Sequence, residues 1–306
     1  MSLQYKYLMY YCTLLLLIFS PACQCKKDAV VSPGEIPPPP VPPANDYLVT
    51  AIFVNGIPKD SLIYNKKNQV TERWEFHSYY RLWLSHTVYR YNSNGYVKEA
   101  EYYNEVAYNV KGRTQKDSLV WAPGLLTIYT TFYRLQDGAV SGSDVSKLAL
   151  NNNNQVITAG TRDTIIYTIV KGKFLSYIGY EFTGNDIREL MDMTYVAIEN
   201  SVPVTNIQHF KMDYDEGRLN PLYPAVAGNP LLLRALAGDV YPLPRNELYP
   251  YLCSKHYVTQ VQKITESGPP VSSVAVYTKD ETSRYASTQT LGNHGITISY
   301  HYRKAD

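Results

Sequence analysis

The stretch Tyr89-Arg-Tyr-Asn-Ser-Asn-Gly-Tyr-Val97 constrains this chain more than any other. It reads as the end of one strand, a tight turn and the start of the next. Tyr89 and Tyr91 alternate with Arg90, so on a strand both tyrosines share a face. Asn92, Ser93, Asn94 and Gly95 supply turn chemistry, because Asn and Gly tolerate positive φ and an Asn side chain bonds its own local backbone. Tyr96-Val97 restarts the alternation.

Looser copies follow. Tyr64 and Val70, Tyr91 and Val97, and Leu150 and Val156 are each six positions apart with Asn-bearing turns between them, while Phe182/Ile187 and Tyr214/Leu219 are five apart. Strand runs punctuated by turn residues are read at 47–54, 61–64, 69–76, 96–103, 125–133, 147–150, 164–170, 175–182, 257–264, 272–277 and 295–302. Irregular spacing between the copies argues for a degenerate meander, not a clean solenoid. Residues 189–194 are read as a bend or helical turn. The segment 220–255 differs in kind: its prolines exclude an interior strand. Leu231–Leu236 is read there as a short helix opening after Asn229-Pro230, within an insertion that covers a sheet end. The predicted fold class is all-β, a mainly antiparallel meander sheet of hairpins with this Pro-rich, partly helical insertion near 220–255.

Tyrosine dominates the aromatic content, with 30 Tyr against 7 Phe and 3 Trp, which suits sheets whose ring tips stay wet. Net charge is only +2, with no basic block after residue 27, so nothing favours nucleic acid as a partner.

Residues 1–22 read as a lipoprotein signal peptide: Lys6, then the apolar core Leu14–Phe19, too short for a stable membrane span. Ser20-Pro-Ala-Cys23 follows, a small residue before a Cys that resembles a lipobox, so Cys23 is the expected lipidation site and the membrane is the expected partner through that lipid. Cys25 is a second candidate, and a plain secretory cut that leaves both thiols free is the alternative. Residues 23–45 hold Pro37-Pro-Pro-Pro-Val-Pro-Pro43, which favours an extended polyproline tether. Residues 46–306 are then the antiparallel β domain. Cys253 has no obvious partner, so a disulfide framework is not expected.

Tyr91-Asn-Ser-Asn-Gly-Tyr-Val97 and Tyr214-Asp-Glu-Gly-Arg-Leu219 resemble the YD/Rhs-type repeat unit, Tyr-Asp-x-x-Gly-x-Leu. Together with the signal segment, the anchor cysteine and the proline stretch, the chain resembles Bacteroidota envelope lipoproteins of unknown function built from YD-like β-hairpins, over roughly residues 60–302. The resemblance implies a cell-envelope location, at the outer membrane, and implies no catalytic residues.

Candidate chemistry is sparse. Asp213-Tyr-Asp-Glu-Gly217 is similar to the opening of a calcium loop but lacks the further acidic ligands, and reads as a turn with two solvated carboxylates. Cys253-Ser-Lys-His256 places a thiol near an imidazole without an orienting third group. The other histidines do not cluster at metal spacing. Glu99 and Glu101 share a strand face, yet look like an ordinary wet strand beside Lys98. No metal, cofactor or catalytic residue is therefore assigned. Trp74, Phe76, Trp83, Tyr89 and Tyr91 are candidates for an aromatic strip that stacks sugars or grips a protein, the competing reading being cross-strand pairs that hold hairpins together. The expected function is a non-catalytic binding or scaffold module with a glycan or protein ligand; an exported hydrolase with scattered residues is the alternative.

Overall fold

The computed structural model describes residues 47–77, 81–105, 111–167, 172–198, 202–237, 251, 254–264, 271–279, 285–291 and 295–305. Cys23, Cys25, Cys253 and the whole of residues 1–46 lie outside them.

Among the described residues the strands are β1 (Tyr47–Val54), β2 (Ile57–Tyr64), β3 (Val70–His77), β4 (Leu82–Tyr91), β5 (Val97–Asn104), β6 (Gly112–Ala122), β7 (Leu125–Tyr133) and β8 (Val140–Ala149). The second half runs β9 (Thr158–Tyr167), β10 (Gly172–Thr183), β11 (Asp186–Ile198), β12 (Val204–Leu219), β13 (His256–Ile264), β14 (Val271–Lys279), β15 (Ala286–Leu291) and β16 (Ile296–Lys304). Between β12 and β13 come two short helices, α1 (Tyr223–Val226) and α2 (Pro230–Ala237). The all-β antiparallel meander is what the sequence led us to expect: sixteen strands form one sheet, ordered β8 down to β1, then β16 down to β9. Residues 189–194 belong to β11, with no bend or helical turn.

That order closes on itself. The first strand pairs with the last, Tyr47 opposite Lys304 and Val54 opposite Ile298. Its two ends, β8 and β9, are neighbours in the chain. They meet at a single bridge, Leu150 with Val156, extended by the Ile157 amide donating to the Ala149 carbonyl at 2.9 Å. The insertion shows that the sheet is rolled. The Val97 amide of β5 donates to the Gly228 carbonyl at 3.0 Å. Yet β5 and β12, which feeds the insertion, stand nine places apart in the order. A flat sheet would separate them by about 43 Å, whereas the nine residues from Leu219 to Gly228 span at most about 30 Å even fully extended. The strands therefore curl around the helices.

The insertion does not cover a sheet end; it fills one. Leu222, Val226, Leu231, Leu232 and Leu236 join one core with Val70, Val97, Leu126, Ile187, Val258 and Ile298 from strands all around the sheet. Asn229 caps α2, its Oδ1 accepting from the Leu232 amide at 3.0 Å, ahead of Pro230. A helix reading Leu-Leu-Leu-Arg-Ala-Leu is apolar nearly all round and has to be buried. At its far end Lys59 donates to the Leu236 carbonyl at 3.1 Å, a cation on an orphan carbonyl of the last turn.

Three turns at this filled end are copies of one device. In each, an Asn carboxamide oxygen accepts from the amides two and four residues on: Asn65 from Lys67 and Gln69, Asn92 from Asn94 and Tyr96, Asn151 from Asn153 and Gln155. The fourth residue takes positive φ in every copy, 59° at Asn68, 88° at Gly95 and 58° at Asn154, which is why Asn or Gly stands there. The unit at Tyr214–Leu219 is different. It makes no hairpin; it lies inside β12 as an irregularity between Asp215, opposite Tyr257, and Leu219, opposite His256.

Candidate functional site

At the filled end, seven of the eight even-numbered strands present an aromatic residue. Six of these reach back to a backbone carbonyl of the preceding strand. Tyr64 donates to Val49, Tyr91 to Val70 and the Trp121 indole to Val97, each at 2.7 Å. Tyr277 donates to Val258 at 2.6 Å, Tyr302 to Ala286 at 2.5 Å, and Tyr214 to Ile187. The tyrosine tips are thus bound to backbone, not wet as composition suggested. Burial pushes the Tyr64, Tyr91 and Tyr277 phenols well above the usual range.

The series breaks at β8 and β10, where Leu150 and Phe182 occupy the equivalent places and have no hydrogen to donate. A cleft opens there, about 550 Å³ including its solvent-open part. Tyr96 forms its floor at 1% exposure, its ring centroid 4.4 Å from that of Trp121. The Asn turn forms one rim, with Asn153 exposed and the Asn154 amide donating to the Tyr96 hydroxyl at 2.8 Å. Gln155 is held from both sides, accepting from Asn151 at 2.7 Å and donating to Asn185 at 3.1 Å. Phe182 and the link between α1 and α2 close the remaining wall. Among the described residues that line it there is no carboxylate, imidazole, thiol, ammonium or guanidinium. This lining can stack on a flat apolar face and exchange hydrogen bonds with neutral groups.

The five aromatic residues singled out in the sequence do not share one surface. Tyr89 is 2% exposed inside the core, and Tyr91 packs against that core. Trp74, Phe76 and Trp83 lie on the outer face. Adjacent Arg73 points inward to the buried Asp60, and a register shift at Glu75/Phe76 brings Phe76 opposite Trp83. Alternation fixes parity within a strand, but parity between strands depends on register and bulges. Outside, Trp74 stacks on His86 at 4.5 Å and His86 on Tyr103 at 4.7 Å, with interplanar angles of 19° and 7°. Phe76 meets Trp83 edge-on at 5.4 Å. Two of these rings give faces to His86, the arrangement of cross-strand pairs that stabilise a sheet.

Glu99 and Glu101 are locked in ion pairs on the outer face. Glu101 accepts from Arg90 and Arg113, each at 2.8 Å, and Glu99 from Lys116 at 2.6 Å and from Arg90. Burial opposes charge on Glu101, but hydrogen bonds from Arg113 and Arg90 outweigh it and hold its carboxyl below the usual range. The Lys116 hydrogen bond does the same for Glu99. Asp213 bonds Gln262, and Asp215 pairs with Arg218 at 3.1 Å. His256 Nδ1 lies 2.7 Å from Asp186, which also accepts from the His256 amide. Among the described residues no group of three or more His, Cys, Asp or Glu stands together as a metal site would.

No protein-family model matches this chain, and no curated protein matches it. Among solved structures it is similar to a porin-like protein from Bacteroides vulgatus, at 11% identity over 84% of this chain and 99% of that one, with a TM-score of 0.38. A porin-like protein from Bacteroides uniformis is similar at 13% identity over 83% and 98%, with a TM-score of 0.30. Scores this low do not establish a shared fold.

Proposed function

We propose that this chain is a non-catalytic binding module of the cell envelope. In this reading residues 1–22 export it, a lipid on Cys23 holds it at the outer membrane, and the prolines of 23–45 carry the 46–306 domain clear of the lipid. The observation that carries the binding role is the cleft, which offers aromatic faces beside a rim of carboxamides. On the outer face of β4–β6, Arg90, Glu99, Glu101 and Lys116 are joined in ion pairs.

Two measurements test it. Palmitate labelling of the full chain in cells is expected to disappear in Cys23→Ser; a label that persists there and vanishes in Cys25→Ser moves the anchor, and no label on the unmodified chain removes it. Purified protein incubated with envelope polysaccharides is expected to leave them intact, and new reducing ends would replace the binding role with a hydrolytic one.

A further inference from the structure

Resting on that binding reading, we infer that the cleft between Tyr96, Trp121, Phe182 and the Asn151–Gln155 turn is a site for a neutral sugar, taken one end of a glycan at a time. Three features of the lining converge on this ligand, and a cleft open to solvent on one side suits a chain end. Its aromatic side chains supply rings that can stack on the C–H face of a pyranose. The Trp121 ring is fixed in advance, its indole nitrogen bonded to the Val97 carbonyl at 2.7 Å and its face set 4.4 Å from Tyr96, so little ordering remains to be done on binding. The rim is carboxamide, and a carboxamide presents a donor and an acceptor side by side, the pattern that a pair of neighbouring hydroxyls requires.

The same lining argues against other ligands. With no charged side chain among the described residues around it, a phosphate, carboxylate or ammonium would enter without a counter-ion. A purely apolar guest would bury the polar atoms of the Asn turn unpaired. The place in the fold adds a separate argument. The aromatic-to-carbonyl bond that ties six of the even strands to their predecessors is absent at the two positions flanking the cleft, Leu150 and Phe182. Phe182 is therefore not committed to the backbone, and its ring serves the cleft wall.

The test uses the full-length, lipidated protein in nanodiscs, with saturation-transfer NMR against neutral cello-, malto-, xylo-, manno- and chito-oligosaccharides and, as the charged probe, oligogalacturonate. Saturation is expected on the terminal residue of at least one neutral oligosaccharide and not on oligogalacturonate. Trp121→Ala is expected to weaken that binding by at least about tenfold, the loss of roughly one stacked ring. Because Trp121→Ala could also loosen the fold, Asn153→Ala at the exposed rim is the second variant, expected to weaken binding with an unchanged circular dichroism spectrum. Trp83→Ala, on the outer face of β4, is expected to change nothing. Silence from every neutral sugar, preference for oligogalacturonate, or loss of binding in Trp83→Ala with retention in both cleft variants would overturn the assignment. None of these outcomes touches palmitate labelling, so the sugar site and the envelope tether fail separately.

Discussion

The hydroxyl of Tyr91 donates to the Val70 carbonyl at 2.7 Å and accepts from the Asn229 amide at 3.1 Å, so one atom joins a β-hairpin to the cap of the helix that fills the sheet. Tyr91→Phe keeps the ring and strands both partners in a buried place. It is expected to cost about 1–3 kcal/mol, because an orphaned buried polar group loses its full desolvation penalty. Urea unfolding measures it; an unchanged midpoint would mean that the bond contributes nothing.

Asp60 is fully buried between two cations, accepting from Arg73 at 2.7 Å and Lys59 at 3.0 Å. Asp60→Asn preserves volume, leaves Lys59 without its anion and leaves Arg73 only the longer contact with Glu75 at 3.4 Å. The expected loss is about 3–5 kcal/mol, in the range seen when one partner of a buried pair is removed. Lys59→Met should be milder, since the Arg73 pair survives it; equal losses would show that the helix-end contact of Lys59, not the ion pair, is the dominant effect.

Asn92→Ala removes the one side-chain oxygen that accepts from both the Asn94 and Tyr96 amides, each at 3.0 Å. A loss of about 1–2 kcal/mol is expected, at roughly 0.5–1.5 kcal/mol per bond with some replacement by water. Gly95→Ala, at a φ of 88°, should cost about 1 kcal/mol through backbone strain alone. Thermal unfolding of the two single variants and the double variant separates the effects; a double loss well short of the sum would indicate that the turn gives way as a unit.

Alkali should unfold this protein cooperatively. Burial raises the phenols of Tyr64, Tyr89, Tyr91, Tyr102, Tyr257, Tyr277 and Tyr300 above their ordinary value. A group whose folded pKa exceeds its unfolded value contributes fully below the unfolded pKa, here about 10, and loses that contribution as pH rises towards the folded one. Stability should therefore hold to about pH 10 and then drop steeply, with phenolate absorbance and loss of strand signal moving together. Gradual phenolate formation in an intact fold would contradict the burial.

The sequence made the turns legible because their chemistry is local: Asn65, Asn92 and Asn151 act on residues at most four positions away. The helix at Pro230–Ala237 was legible for the same reason, through its Asn cap and its proline. Its burial is also legible, in the run Leu231–Leu236 with only Arg234 polar. What stayed hidden needs distant partners. Whether Tyr89 or Trp74 faces inward depends on pairings between strands, and β6, with its polar run Arg113–Ser118, carries little strand signal of its own. The Tyr214–Leu219 unit misled because it keeps the composition of a turn inside a continuous strand. The cleft was invisible for a related reason. It is lined from five separate segments, and the clue that marks it is two residues, Leu150 and Phe182, that fall short of their neighbours' pattern.

The pairing of β1 with β16 has a consequence for how the molecule comes into being. The segment that emerges early must keep one row of amides and carbonyls vacant until some 240 further residues have arrived, so the final shape cannot be locked in midway through synthesis. Such long-range closure slows folding, and the molecule can round up only once its tail is delivered.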